Sequence, residues 1–163
     1  MMNINIYSLY RLMLTKEEWG NATWYLFHTL AYKLKDDHSD ILPLIIDYII
    51  TICNQLPCPD CKEHAQRYLK IRNIKNVKSK NELIEYLFNF HNVVNNNLNK
   101  PIFSLEQSNE LYNRAKTDYI IKYFINTMNK STGNVNLMMN SFARQSISDK
   151  LIYFMKNYRN AFN

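Results

Sequence analysis

The sequence predicts an all-α protein: a bundle of four or five helices followed by a helical C-terminal extension. Three observations carry that expectation. Apolar residues recur at three- and four-residue steps through most of the 163-residue chain, which gives each segment one buried face. Prolines and one capping box stand where such segments would start or stop. The β-branched stretch IIDYIIT, the best candidate for a strand, belongs to an apolar stripe too long for one.

Taken in order, Trp19, Thr23, Leu26, Phe27, Leu30 and Leu34 mark a first helix over about 17–35. Ser39 or Asp40 is placed to cap a second, with Pro43 tolerated in its first turn. Leu42, Ile45, Ile46, Ile49, Cys53 and Leu56 form its buried stripe. Pro57 ends it, and Pro59 opens a third helix running through Leu69 and Lys70. A fourth covers about 80–99, with Leu83, Leu87, His91, Val94 and Leu98 in line and Pro101 closing it. Ser104-Leu105-Glu106-Gln107 fits a capping box for a fifth, which carries Leu111, Tyr112, Ala115 and Tyr119 and runs on through Phe124 toward Met128. Residues 129–136 read as a loop. Residues 137–142 and 148–158 read as one or two further helices, with Leu151, Ile152, Met155 and Tyr158 turned inward.

Composition narrows the function. Nearly half the residues are apolar, enough for a core in one domain without disulfide staples. No apolar run is long enough to cross a bilayer, and the first 19 residues lack a cleavage site, so a cytoplasmic protein without a signal peptide is expected. The net charge of +6 is scattered, with no basic arm, so no nucleic-acid partner is expected. Gly20 and Gly133 are the only glycines and cannot write a phosphate-cradling loop. Asparagine is over-used; it can take left-handed helix-ending positions in place of glycine, and its abundance alone marks no function.

Two of the three cysteines form Cys58-Pro59-Asp60-Cys61. Cys58 falls at the N-cap of the third helix, where the dipole stabilises a thiolate; Cys61 falls on the inward face with Ala65 and Tyr68. That pairing of an accessible and a buried sulfur suits thiol–disulfide exchange. A zinc-binding helical interaction module using Cys53, Cys58, Cys61 and His64 is the alternative. Two uninvolved thiols would be the third reading. Further on, FHNVVNNNLNK places five asparagines within eight residues of a helix, although asparagine is a poor helix former. His91 and Asn95 share the core-facing line, with Asn92, Asn95 and Asn99 on the adjacent strip, where a polar planar ligand could be bonded.

KEEWGNATWYLFHTLAY, LPCPDC and FHNVVNNNLNK, in that order, resemble the signatures of the Erv/ALR family of FAD-linked sulfhydryl oxidases. Gly20, Trp24, His28, Thr29, Leu30 and Ala31 match the first, Cys58 and Cys61 the redox motif, and His91, Asn92, Val94, Asn95, Lys100 and Pro101 the third. The resemblance covers about residues 16–115 and is greatest to short forms encoded by large DNA viruses.

It implies a four-helix bundle with a fifth crossing helix, holding FAD with its isoalloxazine beside the catalytic pair Cys58–Cys61. Gly20, Asn21, Trp24, His28 and Tyr32 would bind the cofactor from the first helix. Asn21 stands where the family commonly has an arginine, so one phosphate contact is missing. His91, Asn92, Asn95 and Lys100 would hold the adenosine and phosphates, Lys100 as a point charge. No tryptophan follows Trp24, which leaves Tyr112 or Tyr119 to stack on the adenine. No metal is implied.

The organisation then expected is an N-terminal segment over 1–15, an FAD-binding sulfhydryl oxidase domain over 16–118, and a helical extension of unassigned role over 119–163. No second cysteine pair exists to act as a shuttle, so a separate dithiol or thioredoxin-like protein would deliver electrons to Cys58. Dioxygen would take them, giving hydrogen peroxide. The family also implies a homodimer packed through the first two helices, and a viral protein would work in the host cytoplasm, with packaging into a virion left open.

Overall fold

A computed structural model describes residues 15–56, 58–130 and 135–163. The segment 1–14, Pro57 and residues 131–134, half of the expected 129–136 loop, therefore lie outside the described residues. Helices dominate: α1 (Lys16–Lys33), α2 (Leu42–Asn54), α3 (Pro59–Ile71), α4 (Lys80–Asn97), α5 (Leu105–Asn113), α6 (Thr117–Met128) and α7 (Val135–Tyr158). Short 3₁₀ turns at Asp36–Ile41, Ile74–Asn76 and Arg159–Ala161 complete the path. Among the described residues there is no strand, only an isolated bridge between Leu34 and Phe162. The all-α expectation holds.

Local chemistry sets most boundaries. The Thr15 hydroxyl accepts from the Glu18 N–H while the Glu18 carboxylate accepts from the Thr15 N–H, a capping box that sequence reading passed over. The box expected at Ser104 and Gln107 forms in full. Asn73 (φ 34°) and Asn99 (φ 53°) take left-handed conformations just beyond α3 and α4, the role foreseen for asparagine in a chain short of glycine.

Other boundaries move. Neither Ser39 nor Asp40 caps α2; the chain enters it through the 3₁₀ turn, and Ile41 at the N-cap makes no side-chain bond. Pro43 does lie in the first turn. The fifth helix stops at Asn113 instead of running to Met128. The Ala115 N–H closes back on the Tyr112 carbonyl and Lys116 turns extended, so α6 restarts in a new direction. Residues 135–158 form one helix, not two.

α1 lies at the centre, packed by α4, α5 and α6, while α3 packs on α2. Its residues 26–32 are all buried, which is why a simple one-sided apolar stripe describes it poorly. The core runs from Trp19 and Leu26 through Ile45, Ile49, Leu83 and Leu87 to Phe124, Leu151 and Phe162. Residues 119–163 thus share the core of the preceding helices. Tyr48 on α2 donates to the Ile147 carbonyl at 2.9 Å and stacks parallel to Phe154 on α7. The chain end folds back on α1: the Asn163 N–H bonds the Lys33 carbonyl, the Lys35 N–H bonds the Ala161 carbonyl, and the Thr117 hydroxyl donates to the Asn163 carbonyl. Arg159 grips both Asp118 oxygens at 2.7 and 3.0 Å.

Two residues expected inward face solvent instead: Leu98 is 48% and Ile152 50% exposed, and Leu111 and Tyr119 of the expected fifth helix are exposed as well. Phe162, by contrast, is 2% exposed. Phe162→Ala should destabilise the whole chain by about 3 kcal/mol, as truncation of a core aromatic does, read as one cooperative urea transition at lower midpoint. An unchanged main transition would show that the chain end is not part of the core.

Candidate functional site

Gly20, Trp24, His28 and Tyr32 follow one another at four-residue steps and so share one stripe of α1, about 18 Å long. α4 brings Phe90, His91 and Asn95, and α5 brings Ser108, Asn109 and Tyr112. Where they meet, flat rings stack in pairs. Trp24 lies on His91 with centroids 4.1 Å apart and planes 7° from parallel. His28 lies on Tyr112 at 4.2 Å and 13°. Phe103 approaches the His91 ring at 6.0 Å.

A hydrogen bond joins the two imidazoles, His28 Nε2 to His91 Nδ1 at 3.2 Å. Whichever ring donates, His28 Nδ1 is left buried without a partner, as is the adjacent Thr29 hydroxyl. Burial drives the His28 pKa down to about 3, with the neighbouring His91 adding to the effect. His91 falls to about 4, first through burial and then through the charge of Lys100. Both rings are therefore neutral at physiological pH. Tyr32 donates to Asn109 Oδ1 at 2.8 Å, and burial raises its pKa and that of Tyr112.

The remaining expected residues divide. Asn95 is buried within the bundle, whereas Lys100 and Asn21 are exposed. Gly20 is half-exposed, and a Cβ built there would meet nothing within 4 Å, so packing does not require glycine. The Asn92 amide is already engaged: it donates to the Phe103 carbonyl at 2.9 Å and accepts from the Phe103 N–H at 3.0 Å. That two-point grip holds the return segment after α4, and with it the ring that faces His91. Of the two tyrosines left open, Tyr112 joins the cluster and Tyr119 points to solvent. Phe90 and Phe103 were not foreseen. Periodicity marks Phe90 only as core, and nothing local marks Phe103.

The cysteines form a disulfide, Cys58–Cys61, with Cα atoms 5.2 Å apart. Cys58 is the N-cap of α3, and its sulfur accepts from the Cys61 N–H at 3.4 Å, with Pro59 in the first turn. The expected contrast between an exposed and a buried sulfur is not expressed: both residues are half-buried against the core. Tyr68, two turns beyond Cys61, stacks on Phe90 at 4.4 Å, and Phe90 meets Trp24 edge-on at 5.1 Å. Aromatic contacts therefore run from the helix that the disulfide opens to the imidazole pair.

The zinc set is not assembled. Cys53 is 1% exposed with its thiol pushed up to about 12 by burial, and His64 is exposed. Among the described residues no three His, Cys, Asp or Glu side chains are placed to hold a metal ion.

Fold and site together define a helical protein with a cysteine pair at a helix start and a cluster of stacked aromatic and imidazole rings in its bundle. The Erv1 / Alr family matches residues 21–115, more than half the chain, and the chain belongs to that family. An FAD-linked sulfhydryl oxidase of Oryza sativa subsp. japonica is 38% identical over 97 residues, 59% of this chain and 50% of that protein. One from Arabidopsis thaliana is 32% identical over 94 residues, 57% of this chain and 49% of that protein. One from African swine fever virus is 30% identical over 115 residues, 63% of this chain and 92% of that protein. The chain thus spans about half the length of the plant relatives and most of the viral one. No solved structure matches it.

The buried imidazoles give the site an acid dependence. Their folded pKa values lie below the unfolded value of about 6.5, so the unfolded chain takes up protons there first. Stability is complete above pH 6.5 and is lost as pH falls toward 4 and then 3. The thermal midpoint should drop across that range, and His91→Gln, which cannot protonate, should flatten part of the fall. Identical profiles for the two chains would contradict the burial of neutral imidazoles.

Proposed function

We propose that this chain is an FAD-linked sulfhydryl oxidase that forms disulfides in protein substrates through Cys58 and Cys61. The observation that carries the reading is the disulfide at the start of α3, tied by Tyr68, Phe90 and Trp24 to the imidazole pair. The residues present fit a flavin dinucleotide. His28 Nδ1 and the Thr29 hydroxyl are buried without partners, and the stacked rings offer flat faces to aromatic ring systems. Trp24, His28, His91, Asn95 and Tyr112 would hold the rings, with Tyr32 locked in place by Asn109. Gly20 and Asn21 open the same stripe of α1, and Lys100 supplies a charge for phosphate. Asn92 contributes by holding Phe103.

The chain's own chemistry starts at Cys58. A substrate thiolate attacks its sulfur, the Cys58–Cys61 bond breaks, and Cys61 leaves as a thiolate. A second substrate thiolate then attacks the substrate sulfur of the mixed disulfide and releases Cys58. The substrate has lost two electrons and two protons, and the cysteine pair has gained them. The helix start favours the thiolate at Cys58. When bound, FAD supplies the two-electron acceptor and the reaction with dioxygen that yields hydrogen peroxide.

Cys53, buried and with a raised pKa, takes no part. Electrons therefore come from a separate dithiol or thioredoxin-like protein. A cytoplasmic place of work, in the host if the chain is viral, suits such a partner, because thiols are kept reduced there. Among the described residues no helix is long and apolar enough to cross a membrane. α6 already lies against α1, and Tyr48 of α2 is engaged by α7, so a homodimer would use the faces of α1 and α2 that these leave open. The flavin-loaded chain should consume oxygen with dithiothreitol, and Cys61→Ser should reduce the rate at least a hundredfold. Equal rates in both, or no oxygen uptake by the native chain, would contradict the reading.

A further inference from the structure

Outside the ring cluster, α3 and α4 leave a groove of about 730 Å³ between them. Its α4 wall carries Glu82, Glu85, Tyr86, Asn89, Asn92 and Asn96, and Tyr68 on α3 and Arg72 just past its end line the other side. Three amides at i, i+3 and i+7 stand on one face of a helix. The use of one is visible. Asn92 binds main chain, donating to the Phe103 carbonyl and accepting from the Phe103 N–H. The bound segment, residues 101–104, carries no helical structure and returns along the last turns of α4.

Asn89 and Asn96 are exposed, and among the described residues their side chains make no hydrogen bond. Asn92 and Asn96 stand ~6 Å apart along the axis, close to the ~6.6 Å repeat of alternate residues in an extended chain. Asn89 to Asn96 spans ~10 Å, the reach of about three extended residues. The Tyr86 hydroxyl is buried without a partner at the same groove. Each feature suits a main chain, whose N–H and C=O groups are the same in every sequence. Val93 and Ile102 add apolar wall for a side chain.

We propose that this groove binds an extended polypeptide segment of the protein substrate, with Asn89 and Asn96 gripping its backbone as Asn92 grips Phe103. The inference deepens the oxidase reading and rests on it for the identity of the peptide. The groove begins on the helix whose first turn holds the disulfide, and Arg72 lies ~20 Å along the axis from Cys58. A segment docked there leaves its cysteines free to reach the start of α3. Recognition of backbone alone would let one oxidase accept many unfolded sequences.

The test uses the full chain loaded with FAD. A fluorescein-labelled, cysteine-free octapeptide is titrated by fluorescence polarisation against the native chain and Asn89→Ala/Asn96→Ala. Both sites are exposed, so the variant should fold. It should bind at least about tenfold more weakly, the effect of losing two neutral hydrogen bonds of modest strength, and Asn89→Gln/Asn96→Gln should recover part of the loss. In oxygen uptake, the alanine variant should raise KM about tenfold for reduced, unfolded ribonuclease A while leaving kcat and the dithiothreitol rate unchanged. No peptide binding by the native chain, or equal binding by the alanine variant, overturns the groove and leaves the oxidase standing. Peptide binding that follows the asparagines, without oxygen uptake from any thiol, supports the groove and removes the oxidase.

Discussion

The hydrogen bond between His28 and His91 is the constraint around which the bundle is arranged. It joins α1 to α4 inside apolar surroundings, so both rings must stay neutral. Each ring lies against an aromatic partner, Trp24 for His91 and Tyr112 for His28. Leaving one buried polar atom unbonded costs ~1–3 kcal/mol, and His28 keeps such an atom at Nδ1. A small domain tolerates that where a ligand completes the bond. The deficit sits on the stripe that family resemblance assigns to the flavin, and under the proposed function the cofactor would relieve it.

The same constraint explains why α1 is buried nearly all round. One stripe faces α4 and α5 and holds the ring cluster, while Ala22, Leu26 and Leu30 help fill the shared core to which α6 adds Ile120, Ile121 and Phe124. The final helices are structural for this reason. They cover apolar surface that would otherwise meet water, and the chain end ties itself to the end of α1 through backbone bonds and the Arg159–Asp118 pair. The site stripe is thereby held from behind.

How much of this could be read in the residues depended on the range of the forces involved. Short-range signals were legible: the Ser104 box, Cys58 at an N-cap, and asparagine replacing glycine beyond α3 and α4. Trp24, His28 and His91 came from three ordered family motifs, while spacing put only His91 on a core-facing line; the structure brings the three rings together. Long-range packing was not legible. Leu98, Leu111 and Tyr119 have the spacing of core residues, yet which face of a helix is covered depends on a neighbour distant in sequence. The break at 114–116 carries no proline or glycine, and only the need to turn α6 back onto α1 accounts for it. Asn92 was read as a ligand-binding amide because its motif suggested one; its partner is backbone eleven residues away.

The central claim is that Trp24, His28, His91 and Tyr112 form the seat of a flavin. The most direct measurement is tryptophan fluorescence in a Trp19→Phe background, where Trp24 is the sole emitter, during titration of the cofactor-free chain with FAD. The account predicts quenching that saturates at one equivalent and is lost in His28→Ala. Emission that does not change with FAD, in a chain that remains folded, would contradict it.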